Sequence, residues 1–102
     1  MELTGKCKEE FEKWFLLNNG HISLSDRFYN EFIELPISFK FGVFQQYFDS
    51  VKIGVESCAS IYFKGFYSLV NGDESYIFNT RPEALEEAIE KANELRNKQL
   101  NK

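Results

Sequence analysis

The dipeptide Asn71-Gly72 constrains the fold more than any other feature of the sequence, because it separates two segments rich in aromatic and β-branched residues. Both residues tolerate positive φ, which the tight turns of β-hairpins require. We therefore predict two antiparallel strands that meet at this turn, IYFKGFYSLV at residues 61 to 70 and SYIFNT at residues 75 to 80. The chain is expected to contain an antiparallel sheet.

The side chains of this hairpin divide between two faces if its loop has two or four residues, and a three-residue loop would exchange the faces of the third strand. With two or four residues, one face carries Tyr67, Leu69, Tyr76 and Phe78, and the other carries Tyr62, Phe66 and Ile77. A two-layer fold needs apolar residues on one side of the middle strand only, yet this strand is apolar on both. Three explanations stay open: helices on each side of the sheet, a homodimer, or an exposed patch that binds another protein.

One aromatic-rich segment, FKFGVFQQYFDSVKIGVES at residues 39 to 57, contains two elements. Intervals of four and three residues predict a helix at about 38 to 49, with a stripe formed by Ile37, Phe41, Phe44, Phe48 and Val51. Beyond it, Val51, Ile53 and Val55 alternate with other residues. This change of period predicts a strand that begins near Ser50.

Two further helices are predicted before this segment. The first is capped by Thr4, has an apolar stripe of Cys7, Phe11, Trp14 and Phe15, and ends at Asn18, Asn19 and Gly20. The second begins with a capping-box-like pair, Ser23 and Asp26, continues with Phe28, Phe32 and Leu35, and stops before Pro36.

The last predicted helix runs from 81 to about 98. Thr80-Arg81-Pro82-Glu83 forms a capping box with proline in the first turn, and an apolar stripe follows it at Leu85, Ala88, Ile89, Ala92 and Leu95. Acidic residues near the start and basic residues near the end complement the helix dipole. We read the acidic run as a solvated helix face, and we expect residues 99–102 to fray.

These elements predict a single α+β domain over residues 1–102: N-terminal helices, a three-stranded antiparallel meander and a C-terminal helix packed on the sheet. The net charge of −4 disfavours binding to nucleic acid or anionic lipid. No apolar run is long enough to span a bilayer, and the first residues lack the apolar region of a signal peptide. Cys7 and Cys58 form no CxxC pair, so we expect no disulfide, metal or cofactor, and a reducing cytoplasmic location.

Candidate catalytic groups are few. His21 could in principle act as a base for Cys7 or Cys58, but a solvated loop histidine is the simpler interpretation. Carboxylates at Asp49, Glu56, Asp73 and Glu74 lie near predicted strand ends, where solvated charges are common. Lys64-Gly65-Phe66 matches the start of an RNA-recognition motif, yet Tyr67 and Ser68 depart from its consensus, so we do not expect RNA binding.

Two segments carry a resemblance to known proteins. They are LPISFKFGVFQQYFDSVKI at residues 35–53 and FNTRPEALEEAIEKANEL at residues 78–95. Both resemble a group of small uncharacterised phage and prophage proteins, over about half of the chain. The resemblance implies an origin in a mobile element and an α+β domain. It brings no assigned reaction and therefore no catalytic residue.

The function expected from the sequence is noncatalytic protein binding, with modulation of a bacterial host protein as one form of it. The predicted partner-binding residues lie on the outer sheet face and are Tyr62, Lys64, Phe66 and Ile77. One alternative is a small enzyme or ligand-binding domain with a pocket between helices and sheet, lined by Tyr47, Asp49, Glu56 or His21. Another is a structural phage component, which would associate with itself as its concentration rises.

Overall fold

The computed structural model describes residues 3–19 and 25–102, and these form an α+β fold. The elements in chain order are α1 (Gly5–Asn19), α2 (Ser25–Ile33), α3 (Ile37–Ser50), β1 (Val55–Ala59), β2 (Phe66–Val70), β3 (Asp73–Glu74) and α4 (Arg81–Leu100). The strands are antiparallel in the order β1-β2-β3, and α4 packs on β1 and β2. The predicted fold class is confirmed.

The core is a cluster of aromatic rings between α1, α2 and α3. Phe11 lies at its centre, and its ring centroid is 5.0 Å from that of Phe44 and 5.3 Å from that of Tyr47. The buried residues include Cys7, Phe11 and Phe15 from α1 and Ile37, Phe44, Tyr47 and Phe48 from α3. Ile37, Phe44 and Phe48 of the predicted stripe therefore lie on the buried face of α3, as the spacing predicted.

The predicted strand start near Ser50 is wrong. Helix α3 continues to Ser50, the chain turns at Val51 and Lys52, and β1 begins only at Val55. Lys52 has a φ of 63°, and the N–H of Ile53 donates a hydrogen bond to the Phe48 carbonyl at 2.9 Å. Ile53 is buried below this turn. Its alternation with Val55 thus reflects two buried side chains rather than continuous strand.

The first turn of α1 is capped by α4 rather than by the predicted Thr4 hydroxyl. The Asn97 side-chain oxygen accepts the Cys7 N–H at 2.9 Å, and the Asn97 amide donates to the Thr4 carbonyl at 3.0 Å. Asn93 accepts the Thr4 N–H at 3.0 Å and donates to its hydroxyl at 2.9 Å. Helix α1 ends at Asn19, within the range predicted.

Several predictions for the start of the second helix lie outside the described part of the chain. They concern Gly20 and Ser23, together with the side chains of Asn18, Asn19, Asp26 and Phe28. Helix α2 ends at Ile33, three residues before Pro36. The end is stabilised by Lys40, whose buried ammonium donates to the Ile33 carbonyl at 3.0 Å. A cation at this position also complements the negative end of the helix dipole.

The predicted hairpin turn is confirmed. Asn71 and Gly72 have φ values of 50° and 88°, and Val70 pairs directly with Asp73 across the two-residue loop. The strand lengths were wrong, however. Strand β2 begins at Phe66, because residues 61–65 form a bend, and regular pairing of β3 ends at Glu74.

The register in which the chain pairs with β2 shifts by one residue between Glu74 and Phe78. Leu69 pairs with Glu74, which would place Phe66 opposite residue 77, but Phe66 forms its bridge with Phe78. The Ser75 hydroxyl accepts the Ser68 N–H at 2.9 Å, in place of a backbone carbonyl. Phe78 therefore shares the face of Phe66, and the predicted grouping of Phe66 with Ile77 is wrong.

The C-terminal helix begins as predicted. The Thr80 hydroxyl caps the helix by accepting the Glu83 N–H at 3.4 Å, and it donates to the Glu83 carboxylate at 2.9 Å. The helix continues to Leu100, and the fraying of residues 99–102 stays a prediction. Its buried side is formed by Ala84, Leu85, Ala88, Ile89, Ala92 and Asn93.

No helix within residues 3–19 and 25–102 has the length and apolar content that crossing a membrane would need.

Candidate protein-binding surface

The two faces of the sheet have different surroundings. The inner face carries Val55, Ser57, Ala59, Phe66, Ser68 and Val70, of which Val55, Ser68 and Val70 are buried. The outer face carries Glu56, Cys58, Tyr67, Leu69 and Glu74, all of them exposed or half-exposed. The helices that pack on the sheet are α4 and α3, which also pack on each other. Tyr67 and Leu69 thus form an apolar strip on the less covered side.

Phe66 lies on the inner face, so its predicted place on the outer face is wrong. It shares strand parity with the buried Ser68 and Val70. The guanidinium of Arg81, the first residue of α4, lies 4.6 Å from the centre of the Phe66 ring. This cation–π contact holds a half-buried ring against the start of the helix.

Tyr62 and Lys64 are exposed, but they belong to the 61–65 bend and not to a strand. The Ser60 hydroxyl accepts the backbone N–H of Tyr62 at 3.3 Å and that of Phe63 at 3.0 Å, which shapes the start of the bend. At its end Gly65 has a φ of 145° and lies against the backbone of Phe78. The bend is therefore anchored at both ends while its side chains point into solvent.

Six large apolar side chains around this bend form a continuous surface, which we call the aromatic surface: Ile61, Tyr62, Phe63, Tyr67, Tyr76 and Ile77. They line an open groove of about 570 Å³. Tyr62 is 84% exposed and Tyr76 89% exposed, and Ile61 and Phe63 are also largely in solvent. Such a cluster is unusual on a free surface, because exposed apolar residues in proteins are mostly scattered singly.

The sequence predictions recovered part of this surface. Of the four predicted partner-binding residues, Tyr62 and Ile77 lie on it and Lys64 is exposed in the same bend, while Phe66 faces α4. Ile61, Phe63, Tyr67 and Tyr76 were missed as site residues, because strand alternation placed them on the opposite face of the predicted sheet from Tyr62 and Ile77. The signal that could have located Ile61 and Phe63 is the pair Ser60 and Gly65. Both are residue types typical of turns, and they flank residues 61–64.

Acidic side chains flank the apolar strip. Glu56 and Glu74 pair with Leu69 from either side, so the three residues form one row across the outer face. Glu74 also lines the groove, and Asp73 is exposed beside it in the hairpin. This arrangement favours a partner that presents basic groups next to apolar ones.

The two cysteines have different environments. Cys7 is fully buried, and burial raises the pKa of its thiol to about 11, so the thiol stays protonated near neutral pH. Cys58 is half-exposed on the outer face, and a hydrogen bond with Cys58 raises the pKa of Tyr67. His21, the predicted base, lies outside the described residues. A buried neutral Cys7 does not fit the role of nucleophile.

A polar network that the sequence predictions missed joins α1, α3 and α4. The Tyr47 hydroxyl donates to Glu10 at 2.7 Å, and Arg96 forms two hydrogen bonds with the same carboxylate at 2.8 and 2.9 Å. The bond to Arg96 holds the pKa of Glu10 below its ordinary value, and burial raises that of Tyr47. Each group is thus held in its usual protonation state, as suits a structural cross-link.

Of the residues predicted to line an enzyme-like pocket, the three that the structure describes are not brought together. Tyr47 is in the core, Asp49 is exposed at the end of α3, and Glu56 is on the outer sheet face. Over the described part of the chain, no group of three or more His, Cys, Asp or Glu residues could hold a metal ion.

Comparison with known proteins found no matching family model, no matching curated protein and no matching solved structure.

Proposed function

We propose that this protein is a noncatalytic binding module that captures another protein through the aromatic surface. The observation that carries the proposal is the cluster of Ile61, Tyr62, Phe63 and Tyr76, each at least 69% exposed on one side of the molecule. Tyrosine rings suit such surfaces, because they are amphipathic and order at low entropic cost. The anchored ends of the bend reduce the entropy that binding would lose.

The partner proposed is a protein segment with apolar side chains for the groove and a lysine or arginine beside them. The row of Glu56, Leu69 and Glu74 supports this choice, since both carboxylates flank the apolar strip. The resemblance of residues 35–53 and 78–95 to phage proteins supports a bacterial host protein as that partner. Binding would then take place in the host cytoplasm and modulate the captured protein.

The test uses the tagged full chain and bacterial lysate, with two variants. Tyr62→Ser combined with Tyr76→Ser removes the two most exposed rings of the surface. Phe39→Ser removes another exposed ring, 72% in solvent, from α3 and serves as the control. We expect the wild type and the control to retain the same protein, and the double variant to lose it.

The retained protein is then purified and titrated against each variant by calorimetry. Loss of a ring that anchors an interface costs about 2 kcal/mol, which is roughly thirty-fold in Kd. Circular dichroism verifies that all three chains fold alike. An unchanged Kd for the double variant, or an equal loss in Phe39→Ser, would contradict the proposal.

A further inference from the structure

The outer edge of β1 exposes backbone groups that the described residues leave unpaired. Gly54 and Ser60, which flank β1, bond towards β2 through the Gly54 carbonyl and the Ser60 N–H. Backbone groups alternate in direction along a strand, so Glu56 and Cys58 also point to β2. The backbone N–H and C=O groups of the remaining residues point away from β2, towards the free edge. These residues are Val55, Ser57 and Ala59.

Strand β2 confirms this assignment from the other side. Phe66 and Ser68 direct their backbone groups towards the β3 side, where they bond to Phe78 and Ser75. The backbone groups of Tyr67 and Leu69 must therefore point to β1, where these residues pair with Cys58 and Glu56 respectively.

Only part of the β1 edge is free. The Gln45 side-chain amide donates to the Val55 carbonyl at 2.7 Å and so occupies the first position. The N–H and C=O groups of Ser57 and Ala59 remain, four in all, in the open half of the strand. Ala59 is exposed and Ser57 is half-exposed. The strand also lacks lysine and proline, which commonly protect free edges from pairing.

We propose that this edge pairs with the same edge of a second copy, antiparallel and about a two-fold axis beside Cys58. Ser57 then faces Ala59 of the second copy, and Ala59 faces Ser57 of the second copy. Four hydrogen bonds between the copies pair the four free backbone groups that each copy contributes. The two three-stranded sheets join into one of six strands. This inference rests on the β1 edge and not on the aromatic surface.

Two features favour a second copy in this register. Sliding the strands to place Ser57 opposite Ser57 would require the Val55 carbonyl, which Gln45 already occupies. In the proposed register Glu56 lies opposite Ser60 of the second copy, so no two carboxylates face each other despite the net charge of −4. The edge is thus complementary to itself, as a two-fold interface requires.

The register makes a specific prediction about Cys58. The two Cys58 residues face each other as a non-hydrogen-bonded pair, with Cα atoms about 4.5 Å apart, a separation that a disulfide can bridge. Diamide can oxidise them, since it accepts the two electrons and two protons that the two thiols lose when the S–S bond forms. Cys7, which is fully buried, would not react.

The first experiment measures mass by light scattering after size exclusion, over a range of protein concentrations. We expect twice the chain mass of 12.0 kDa at high concentration and a decrease on dilution. Ala59→Pro removes one N–H from each copy without touching the β1–β2 ladder, and edge strands tolerate proline. With two of four hydrogen bonds lost, each worth about five-fold, Kd should rise roughly twenty-five-fold. Ala59→Ser keeps the N–H and is the control.

The second experiment treats the wild type and Cys58→Ser with diamide and separates the products on a nonreducing gel. The wild type should form a crosslinked dimer and Cys58→Ser should not, and this readout does not depend on whether Ala59→Pro folds. A mass of one chain at every concentration overturns the proposal. So does a dimer that is lost in the Tyr62→Ser, Tyr76→Ser variant yet unchanged in Ala59→Pro, because it would form through the aromatic surface.

Discussion

Replacing Tyr47 by phenylalanine should destabilise the protein through the loss of the hydrogen bonds that its hydroxyl makes. The ring is 1% exposed and would stay packed, because phenylalanine has the same shape without the hydroxyl. What disappears is the 2.7 Å bond to the Glu10 carboxylate, which is the main loss, and a weaker 3.8 Å contact with the buried Cys7 Sγ. Hydrogen bonds to charged groups contribute about 1.5–3 kcal/mol.

The expected cost lies at the lower end of that range. The Glu10 side chain is 34% exposed, so water can replace part of the lost interaction, and Arg96 still binds the same oxygen. We expect the free energy of unfolding to fall by about 1.5 kcal/mol at pH 7. For a domain of this size that corresponds to roughly 6–12 °C in Tm.

The effect should depend on pH with a definite sign. Because the folded protein lowers the pKa of Glu10 below its ordinary 4.5, this carboxylate adds stability above that pH, and the stability is lost as pH falls through the lowered value. Protonated Glu10 accepts a weaker bond from Tyr47. The difference between wild type and Tyr47→Phe should therefore narrow in acid.

Urea denaturation at pH 7 and at a pH well below 4.5 measures both effects, and Glu10→Gln completes a double-mutant cycle with Tyr47→Phe. A change below about 0.5 kcal/mol at pH 7, within the usual range for surface substitutions, would refute the reasoning. A difference that stays constant as Glu10 protonates would show that the loss comes from ring packing and not from the bond to the carboxylate.

Three further substitutions test the local structure, each by urea denaturation. Gly65→Ala should cost more than about 1 kcal/mol, because Gly65 has a positive φ and its new Cβ would clash with the Phe78 carbonyl; a neutral effect would show that the bend is not tight. Asn97→Ala should cost about 1–2 kcal/mol by leaving the Cys7 N–H uncapped, and an unchanged midpoint would contradict that role. Thr80→Ala should cost about 1 kcal/mol through the lost cap of α4, whereas Thr80→Ser should restore most of it.

The parts of the fold that the sequence predicted are those that local rules determine. The hairpin turn needs only two residues that tolerate positive φ, Asn71 and Gly72. The start of α4 needs only Thr80 and Glu83, three positions apart. In both cases the interacting groups are neighbours in the chain, so residue type and spacing suffice.

The errors arise where distant groups override the local pattern. The Ser75 hydroxyl bonds to Ser68 and shifts the later pairing by one residue, and no alternation of side chains could indicate this. Likewise the bond between Glu10 and Arg96 spans 86 residues. An aromatic-rich segment such as 61–65 has strand propensity, but in the structure its backbone bends.

The candidate surface was likewise predicted only in the part that local patterns determine. Tyr62 and Ile77 are exposed, as expected, although the reason given for it was wrong, since both were placed in regular strands. The sequence indicated more aromatic rings than one layer of helices could bury against the sheet. Which rings remain in solvent depends on the bend and the shifted pairing, which only the three-dimensional structure reveals.

Asn93 and Asn97 of α4, which cap α1, also affect when α1 can be stabilised during synthesis of the chain. A ribosome makes residues 4 to 7 long before residue 97, so the first turn of α1 remains uncapped until α4 has been made. Contacts between segments about 90 positions apart form late and slow the folding of small proteins. The nascent chain should therefore remain sensitive to proteases until α4 has left the exit tunnel.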